Sequence, residues 1–184
     1  YSELFDASSV AIYGAVPPGR GVVQIGEDVQ EGEVILPTGT RMGAAQIGAL
    51  SGNGITTVTV WKPLKITIIS TGDELTKPGD KLDFGKIYDI NTPALRQASA
   101  ELGFEVVRTE VIKDEESLLE EAIRRGMAES DLVVVSGGSS QGKKDITAML
   151  LDRLGNPGVF THGLALKPGK PTILAADTQT QTVF

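Results

Sequence analysis

The pattern of apolar and polar positions changes about one third of the way along the 184-residue chain. Across residues 22–60, short apolar stretches are interrupted by Gly and Pro at close intervals, which predicts short β segments joined by turns. Residues 44–50 are the exception and predict one short helix. Trp61-Lys-Pro63 marks the change, because proline disfavours the continuation of a helix or a central strand. We therefore predict a partial β-rich lobe with its linker at residues 1–62 and a second domain at residues 63–184.

Beyond this boundary, runs of apolar β-branched residues alternate with segments of helical length and periodicity. The predicted strands are residues 65–70, 104–112 and 131–135, with two more near Val159 and Thr172. The predicted helices are residues 91–102, with Asn91 as N-cap, residues 114–128 and residues 144–154. This alternation predicts an α/β fold with an open, mostly parallel sheet and helices on both faces.

The ligand site of such a sheet lies beyond the carboxyl ends of its strands. The loop after the third strand reads Ser136-Gly-Gly-Ser-Ser-Gln-Gly142, and its backbone N–H groups and hydroxyls suit a phosphate or a pterin. Its spacing matches neither the P-loop nor the dinucleotide-binding fingerprint. An ordinary tight turn is the alternative. The candidate binding residues at its start are Ser136, Gly137 and Gly138.

Carboxylates follow three of the predicted strands. Glu74 lies in the segment after the first strand, Asp114 follows the second, and Asp145 lies near the start of the helix after the third. Each one alone can be a helix N-cap. Three carboxylates at one edge of a sheet favour a divalent cation, and ligands that are all oxygen favour Mg²⁺.

The segment Lys167-Pro-Gly-Lys-Pro171 combines a restricted backbone with two lysines three residues apart. These lysines can hold an oxyanion as point charges. A solvated turn with mobile lysines is the alternative. The sole histidine, His162, is assigned no role.

Composition narrows the class of function. The formal net charge of −7 argues against duplex nucleic acid as a partner, because that ligand needs a broad basic face. The absence of cysteine excludes disulfides, thiolate metal sites and cysteine nucleophiles. No apolar run approaches the roughly 20 residues that span a bilayer, and no signal peptide opens the sequence. We therefore expect a cytoplasmic protein without a membrane partner.

In combination, these motifs resemble those of the molybdopterin molybdenumtransferases, the molybdenum-insertion enzymes of molybdenum cofactor synthesis, which include the E domain of gephyrin. The matching segments, in the order of the family, are Gly26-Glu-Asp-Val29, Ser70-Thr-Gly-Asp-Glu-Leu75, Tyr88-Asp-Ile-Asn91, Lys113-Asp114, Ser136-Gly-Gly-Ser-Ser-Gln-Gly-Lys-Lys-Asp145 and Lys167-Pro-Gly-Lys-Pro171. The resemblance implies that adenylylated molybdopterin and molybdate are the substrates. It implies Mg²⁺-dependent hydrolysis of the adenylate, which yields AMP and molybdenum cofactor. It also implies a homodimer, with a molybdopterin adenylyltransferase as the upstream donor.

The resemblance further implies a role for each matching residue. Glu74, Asp114 and Asp145 match the acidic catalytic positions, and Glu74 and Asp145 are the expected metal ligands. The expected substrate-binding residues are Asp28, contributed from the neighbouring domain, Asn91, the start of the Gly/Ser loop, Ser140 within that loop for the pterin, and Lys167 and Lys170 for molybdate.

The sequence also departs from the family. Val23 and Gln24 stand where arginine is frequent, Lys143 where an acidic residue is usual, and Gly163 where many members have lysine. The C-terminal β domain and most of the N-terminal region of the family have no counterpart, and the last residues restart a strand, so the chain alone is expected to be inactive or nearly so. The alternatives are a molybdopterin adenylyltransferase, whose glycine loop usually reads more like Thr-Gly-Gly-Thr-Gly, and a non-catalytic pterin-binding or scaffold protein.

Overall fold

The structure is a computed structural model that describes residues 2–137 and 144–184, with the backbone alone at Lys144 and Asp145. The chain divides into two compact units, Tyr1–Val60 and Trp61–Phe184. In the part of the chain that the structure describes, no helix is both long and apolar enough to cross a membrane.

Within its described residues, 2–60, the first unit contains one hairpin and one helix. Strand β1 (Ser2–Leu4) pairs antiparallel with β2 (Val10–Ile12), and helix α1 spans Ala44–Gly52, which confirms the predicted helix. Every residue from 22 to 60 is described, and none of them lies in a strand, so the short strands predicted there do not form. The chain turns at residues 24–27, 30–33 and 37–40, which leaves only short segments between these turns, and residues 55–60, although long enough for a strand, pair with no other described segment.

The second unit alternates strands and helices along the chain. Its elements are β3 (Lys65–Thr71), β4 (Leu75–Thr76), β5 (Ile87–Tyr88), α2 (Asn91–Glu101), β6 (Glu105–Ile112), α3 (Glu116–Glu129), β7 (Leu132–Gly137), α4 (Lys144–Leu154), β8 (Pro157–His162), β9 (Ile173–Asp177) and β10 (Thr182–Val183). Strands β4 and β5 form a small parallel pair of their own. The other six form one sheet in the order β6-β3-β7-β10-β9-β8.

The six-stranded sheet is mostly parallel. Strands β6, β3, β7 and β10 run in one direction, β9 is antiparallel to β10, and β8 is antiparallel to β9. The carboxyl ends of β6, β3, β7 and β8 therefore lie at the same edge, which we call the carboxyl edge. Strand β7 lies inside the sheet, as its apolar sequence predicts.

Helices cover both faces of this sheet. On one face, Ile69 of β3 and Val133 of β7 are buried with Leu119 and Ile123 of α3 and with Leu150 of α4. Adjacent residues of a strand point to opposite faces, so Ser70 points away from that cluster. Its hydroxyl shares a hydrogen bond of 2.8 Å with that of Thr92 in α2. The predicted α/β fold class is therefore confirmed.

Two helix starts differ from the prediction. Asn91 is the first residue of α2 and not its N-cap, because Asp89 Oδ1 accepts hydrogen bonds from the N–H groups of Asn91 and Thr92, each at 3.1 Å. Helix α3 begins at Glu116, two residues later than predicted. Asp114 consequently lies in the loop between β6 and α3.

Candidate functional site

The ends of β3 and β7 converge at the carboxyl edge. Thr71, the last residue of β3, is in register with Ile112 on one side and Gly137 on the other. Gly137 has φ +139°, and a Cβ atom at this position would lie 2.1 Å from the Thr71 carbonyl oxygen. Only glycine fits this approach. The Gly/Ser loop therefore leaves β7 directly beside the end of β3.

Asp114 is bonded to the end of β3 through both its side chain and its backbone. The buried hydroxyl of Thr71 donates to Asp114 Oδ1 at 2.6 Å. The N–H of Asp114 donates to Asp73 Oδ1 at 3.2 Å, and the N–H of Gly72 donates to the Ile112 carbonyl at 3.1 Å. These bonds join the exits of the two neighbouring strands β3 and β6.

Glu74 lies in the same exit turn of β3. Its carboxylate folds back over Gly72, since a Cβ atom on Gly72 would lie 2.9 Å from Glu74 Oε2. Its carbonyl accepts the N–H of Ile87 in β5 at 2.9 Å, and the Lys86 ammonium donates to the Asp73 carbonyl. The fold thus places Asp73, Glu74 and Asp114 at the ends of the two neighbouring strands β3 and β6.

Asn91 and Ser136 meet at the adjacent end of β7. The Asn91 side-chain amide donates to Ser136 Oγ at 2.8 Å. Asp89, only 2% exposed, occupies the first N–H groups of α2, so this helix start is already filled by a carboxylate of the chain itself. No role was predicted from the sequence for Asp89 or Thr71. An aspartate two residues before the predicted helix was the available signal for Asp89, whereas nothing local pointed to Thr71.

A cleft adjoins Asp114. It is lined by Thr71, Asp114, Glu115, Glu116, Leu119, Ile146 and Thr147. The first turns of α3 and α4 therefore line the same cleft as Asp114. Asp145 directly precedes Ile146, which lines this cleft, in α4.

The lysine loop, residues 163–172, connects β8 to β9 at the same edge of the sheet. It continues the ladder between these strands, with the N–H of Gly163 bonded to the Thr172 carbonyl at 2.8 Å and the N–H of Leu164 to the Lys170 carbonyl at 3.0 Å. Lys167 and Lys170 are exposed. Strand β9 is two positions from β7, or about 10 Å across the sheet at ordinary strand spacing.

The remaining candidate residues are not joined to this group. Gly138 and Ser140 lie outside the described residues, and Asp145 is described only by its backbone. Asp28 is exposed in the first unit. Among the described side chains, no group of three or more His, Cys, Asp or Glu is close enough to hold a metal ion. The chemistry of Glu74 and Asp114 nonetheless suits a hard cation such as Mg²⁺, because both offer carboxylate oxygens.

Comparison with known proteins points to one family. Residues 67–184 match the model of the family described as "Probable molybdopterin binding domain". The chain is 35% identical over 154 residues to the molybdopterin molybdenumtransferase of Haemophilus influenzae, covering 84% of this chain and 38% of that protein. It is 32% identical to gephyrin of Dictyostelium discoideum, covering 96% of this chain and 26% of that protein.

Solved structures agree. The molybdopterin biosynthesis MoeA protein of Pyrococcus horikosii superimposes with a TM-score of 0.78 at 38% identity, covering 95% of this chain and 42% of that one. The chain thus spans about two fifths of the length of this structure and of the Haemophilus relative. The resemblance found in the motifs is confirmed, and the chain belongs to the family of molybdopterin-binding domains.

Proposed function

We propose that this chain is part of an enzyme that inserts molybdenum from molybdate into adenylylated molybdopterin, with hydrolysis of the adenylate to AMP. The activity is proposed for a protein with the full length of the relatives, of which this chain covers about two fifths. For the chain alone we propose binding of the adenylylated pterin and little or no turnover.

One observation carries this proposal. The acidic group of Asp73, Glu74 and Asp114 lies at the ends of β3 and β6, and the Asn91–Ser136 pair lies at the end of the adjacent β7. The lysine loop is at the same edge of the sheet. Acidic, amide and basic groups along one edge of an open sheet support a site for a substrate with a phosphate, a pterin and an oxyanion.

Each group has a proposed task. Ser136, Gly137, Gly138 and Ser140 would bind the pterin through hydroxyls and backbone N–H groups, and Asn91 would fix the orientation of Ser136. Lys167 and Lys170 would hold the molybdate dianion through their ammonium groups. Glu74 or Asp145 would orient the water that attacks the adenylate phosphorus as the bond to the pterin phosphate breaks. Asp28 would contact the substrate from a neighbouring domain.

Mg²⁺, when bound by Glu74 and Asp145, would neutralise charge on the adenylate phosphates. A homodimer, a molybdopterin adenylyltransferase as upstream donor and a cytoplasmic location belong to the same proposal, and the similarity to molybdenumtransferases supports them.

The proposal is tested with the full-length protein in two parallel assays. Adenylylated molybdopterin with molybdate and Mg²⁺ should yield AMP and molybdenum cofactor, and the Asp114→Asn variant should lose most of this activity. Molybdopterin with ATP should yield no adenylate. Formation of the adenylate in the second assay would identify an adenylyltransferase instead. Binding without turnover in either assay would favour a non-catalytic member of the family.

A further inference from the structure

Thr71 is a buried residue at the candidate site to which no role has so far been assigned. It is the last residue of β3 and is 5% exposed. We propose that Thr71 is a positioning residue that fixes the orientation of the Asp114 carboxylate beside the cleft between α3 and α4. This inference rests on the proposed function, because it gives a reason to hold a carboxylate at that place.

The contact between the two side chains is short and has a defined direction. A carboxylate only accepts hydrogen bonds, so the Thr71 hydroxyl is the donor in the 2.6 Å bond to Asp114 Oδ1. The Lys113 carbonyl is much farther from the same hydroxyl, at 3.4 Å. A threonine hydroxyl has one proton, and the shorter, charge-assisted bond to Asp114 is the stronger of the two.

Thr71 itself has little freedom to move. Its backbone is paired with β6 and β7 on its two sides. Its methyl carbon Cγ2 lies 2.7 Å from where a Cβ atom of Gly137 would be, so the methyl group packs against the glycine backbone. A β-branched side chain has few χ1 options. With the methyl group in that position, the hydroxyl is directed toward Asp114.

This arrangement fixes Asp114 at two points. Thr71 holds its carboxylate, and Asp73 accepts its backbone N–H at 3.2 Å. Asp114 lies in a loop, where a half-buried side chain otherwise samples several rotamers. A ligand or a reacting group gains from a carboxylate that is oriented before binding, since less conformational freedom is lost in the complex.

The same strand offers a matched control. Thr67 is also fully buried in β3, and its hydroxyl accepts a hydrogen bond of 3.1 Å from Ser130. It lies four residues before Thr71, or about 13 Å along the strand and away from the carboxyl edge. Substitution of Thr67 by valine therefore removes a buried hydroxyl from β3 without touching Asp114.

The experiment compares Thr71→Val, Thr71→Ser, Thr67→Val and Asp114→Asn in the 184-residue chain. Scalar couplings across the Asp114 χ1 angle, measured by NMR, report whether its side chain occupies one rotamer. Calorimetry reports the affinity for adenylylated molybdopterin in the presence of Mg²⁺. We expect Thr71→Val to average the couplings and to weaken binding by up to about tenfold, because the Asp114 side chain must then be ordered when the ligand binds.

The other variants decide the meaning of that result. Thr71→Ser keeps the hydroxyl donor but not the methyl group that directs it, so its couplings and affinity should lie closer to those of wild type than to those of Thr71→Val. Thr67→Val should leave both unchanged. The double variant Thr71→Val/Asp114→Asn should bind no more weakly than Asp114→Asn alone. A single Asp114 rotamer in a folded Thr71→Val variant would overturn the inference, and so would unchanged affinity in that variant if Asp114→Asn weakens binding. If the wild-type chain does not bind, or if Asp114→Asn binds as tightly as wild type, the proposed role of Asp114 in binding fails. The couplings alone then decide whether Thr71 positions the Asp114 side chain.

Discussion

At each of the two edges of the sheet where strands end, hydrogen bonds hold the carboxylate of one aspartate, but their donors come from different elements. At the carboxyl edge, Asp114 is oriented by the Thr71 hydroxyl and borders a cleft. At the opposite edge, Asp177 ends β9 and is 5% exposed. Its carboxylate accepts the N–H of Asn156 at 3.1 Å and both the N–H and the hydroxyl of Thr180, at 2.8 and 2.7 Å.

This difference separates a structural carboxylate from a candidate binding carboxylate. The hydrogen bonds to Asp177 come from two loops of the chain itself and tie them together, which stabilises the fold. The loop of Asp114 instead places its carboxylate beside a cleft with the first turns of α3 and α4. Residue type alone does not distinguish the two aspartates, whereas their burial, the elements that donate hydrogen bonds to them and the adjoining cleft do.

The largest expected loss of stability tests the close approach of β3 and β7 at the carboxyl edge. Gly137→Ala places a Cβ atom 2.1 Å from the Thr71 carbonyl at a positive φ, which forces the strand ends apart. We expect the free energy of unfolding to fall by about 3 kcal/mol, from combined backbone strain and overpacking. Urea denaturation measures it.

Gly79→Ala is the control for that substitution. Gly79 also has a positive φ, +98°, but a Cβ atom there meets nothing within 4 Å. The free energy of unfolding of this variant should fall only by the cost of the backbone conformation, about 1 kcal/mol. Equal losses for the two variants would show that the close approach of β3 and β7 is not a constraint.

The next largest effect is the contribution of Asp177, at the opposite edge of the sheet, to the free energy of unfolding, and this contribution depends on pH. The Thr180 hydroxyl, followed by the Thr180 N–H, holds the pKa of Asp177 below its ordinary value of 3.8. A carboxyl group with a lowered pKa in the folded state stabilises the fold above its unfolded pKa, and this contribution is lost as the pH falls through the folded value. Asp177→Asn should therefore be clearly less stable than wild type at pH 7.

The difference between Asp177→Asn and wild type should narrow as the pH falls below about 4. Urea denaturation at pH 7, 4.5 and 3 measures this trend. The exposed Asp83 supplies a control, and Asp83→Asn should change stability by no more than about 0.5 kcal/mol at each pH. A constant difference between Asp177→Asn and wild type would show that the Asp177 carboxylate does not hold the loops through its charge.

A smaller effect is expected at the start of α2. Asp89→Ala removes the acceptor for the N–H groups of Asn91 and Thr92, and the free energy of unfolding should fall by about 1–2 kcal/mol, as for other helix caps. Gln97→Ala, an exposed position in the same helix, should change it by less than about 0.5 kcal/mol. A negligible loss in Asp89→Ala would mean that the helix start is held by other contacts.

The sequence predicted the part of this molecule that local pattern controls. Apolar β-branched runs identified β3, β6 and β7, and their alternation with helical segments indicated the parallel sheet and its ligand edge. Periodicity works here because it reflects which residues are buried. It failed in residues 22–60, because closely spaced turns interrupt residues 24–40 and residues 55–60 have no partner strand in the described part of the chain.

The site contacts depend on distant pairing and could not be predicted in this way. Thr71 and Asp114 are 43 residues apart, and Asn91 and Ser136 are 45 apart, so both contacts follow from the order and register of the strands. The N-cap was assigned to Asn91, but Asp89 holds the helix start, because both residue types favour such positions and the backbone decides between them.

Calorimetric titration of the 184-residue chain with adenylylated molybdopterin and Mg²⁺ tests the central claim most directly, with Asp114→Asn, Asp145→Ala and Asp177→Asn measured beside wild type. We predict that the wild-type chain binds, that Asp114→Asn and Asp145→Ala each weaken binding by about tenfold or more, and that folded Asp177→Asn binds as wild type does. Absence of binding by the wild-type chain, or equal affinity in all four proteins, would contradict the assignment of the substrate site to the carboxyl edge of the sheet.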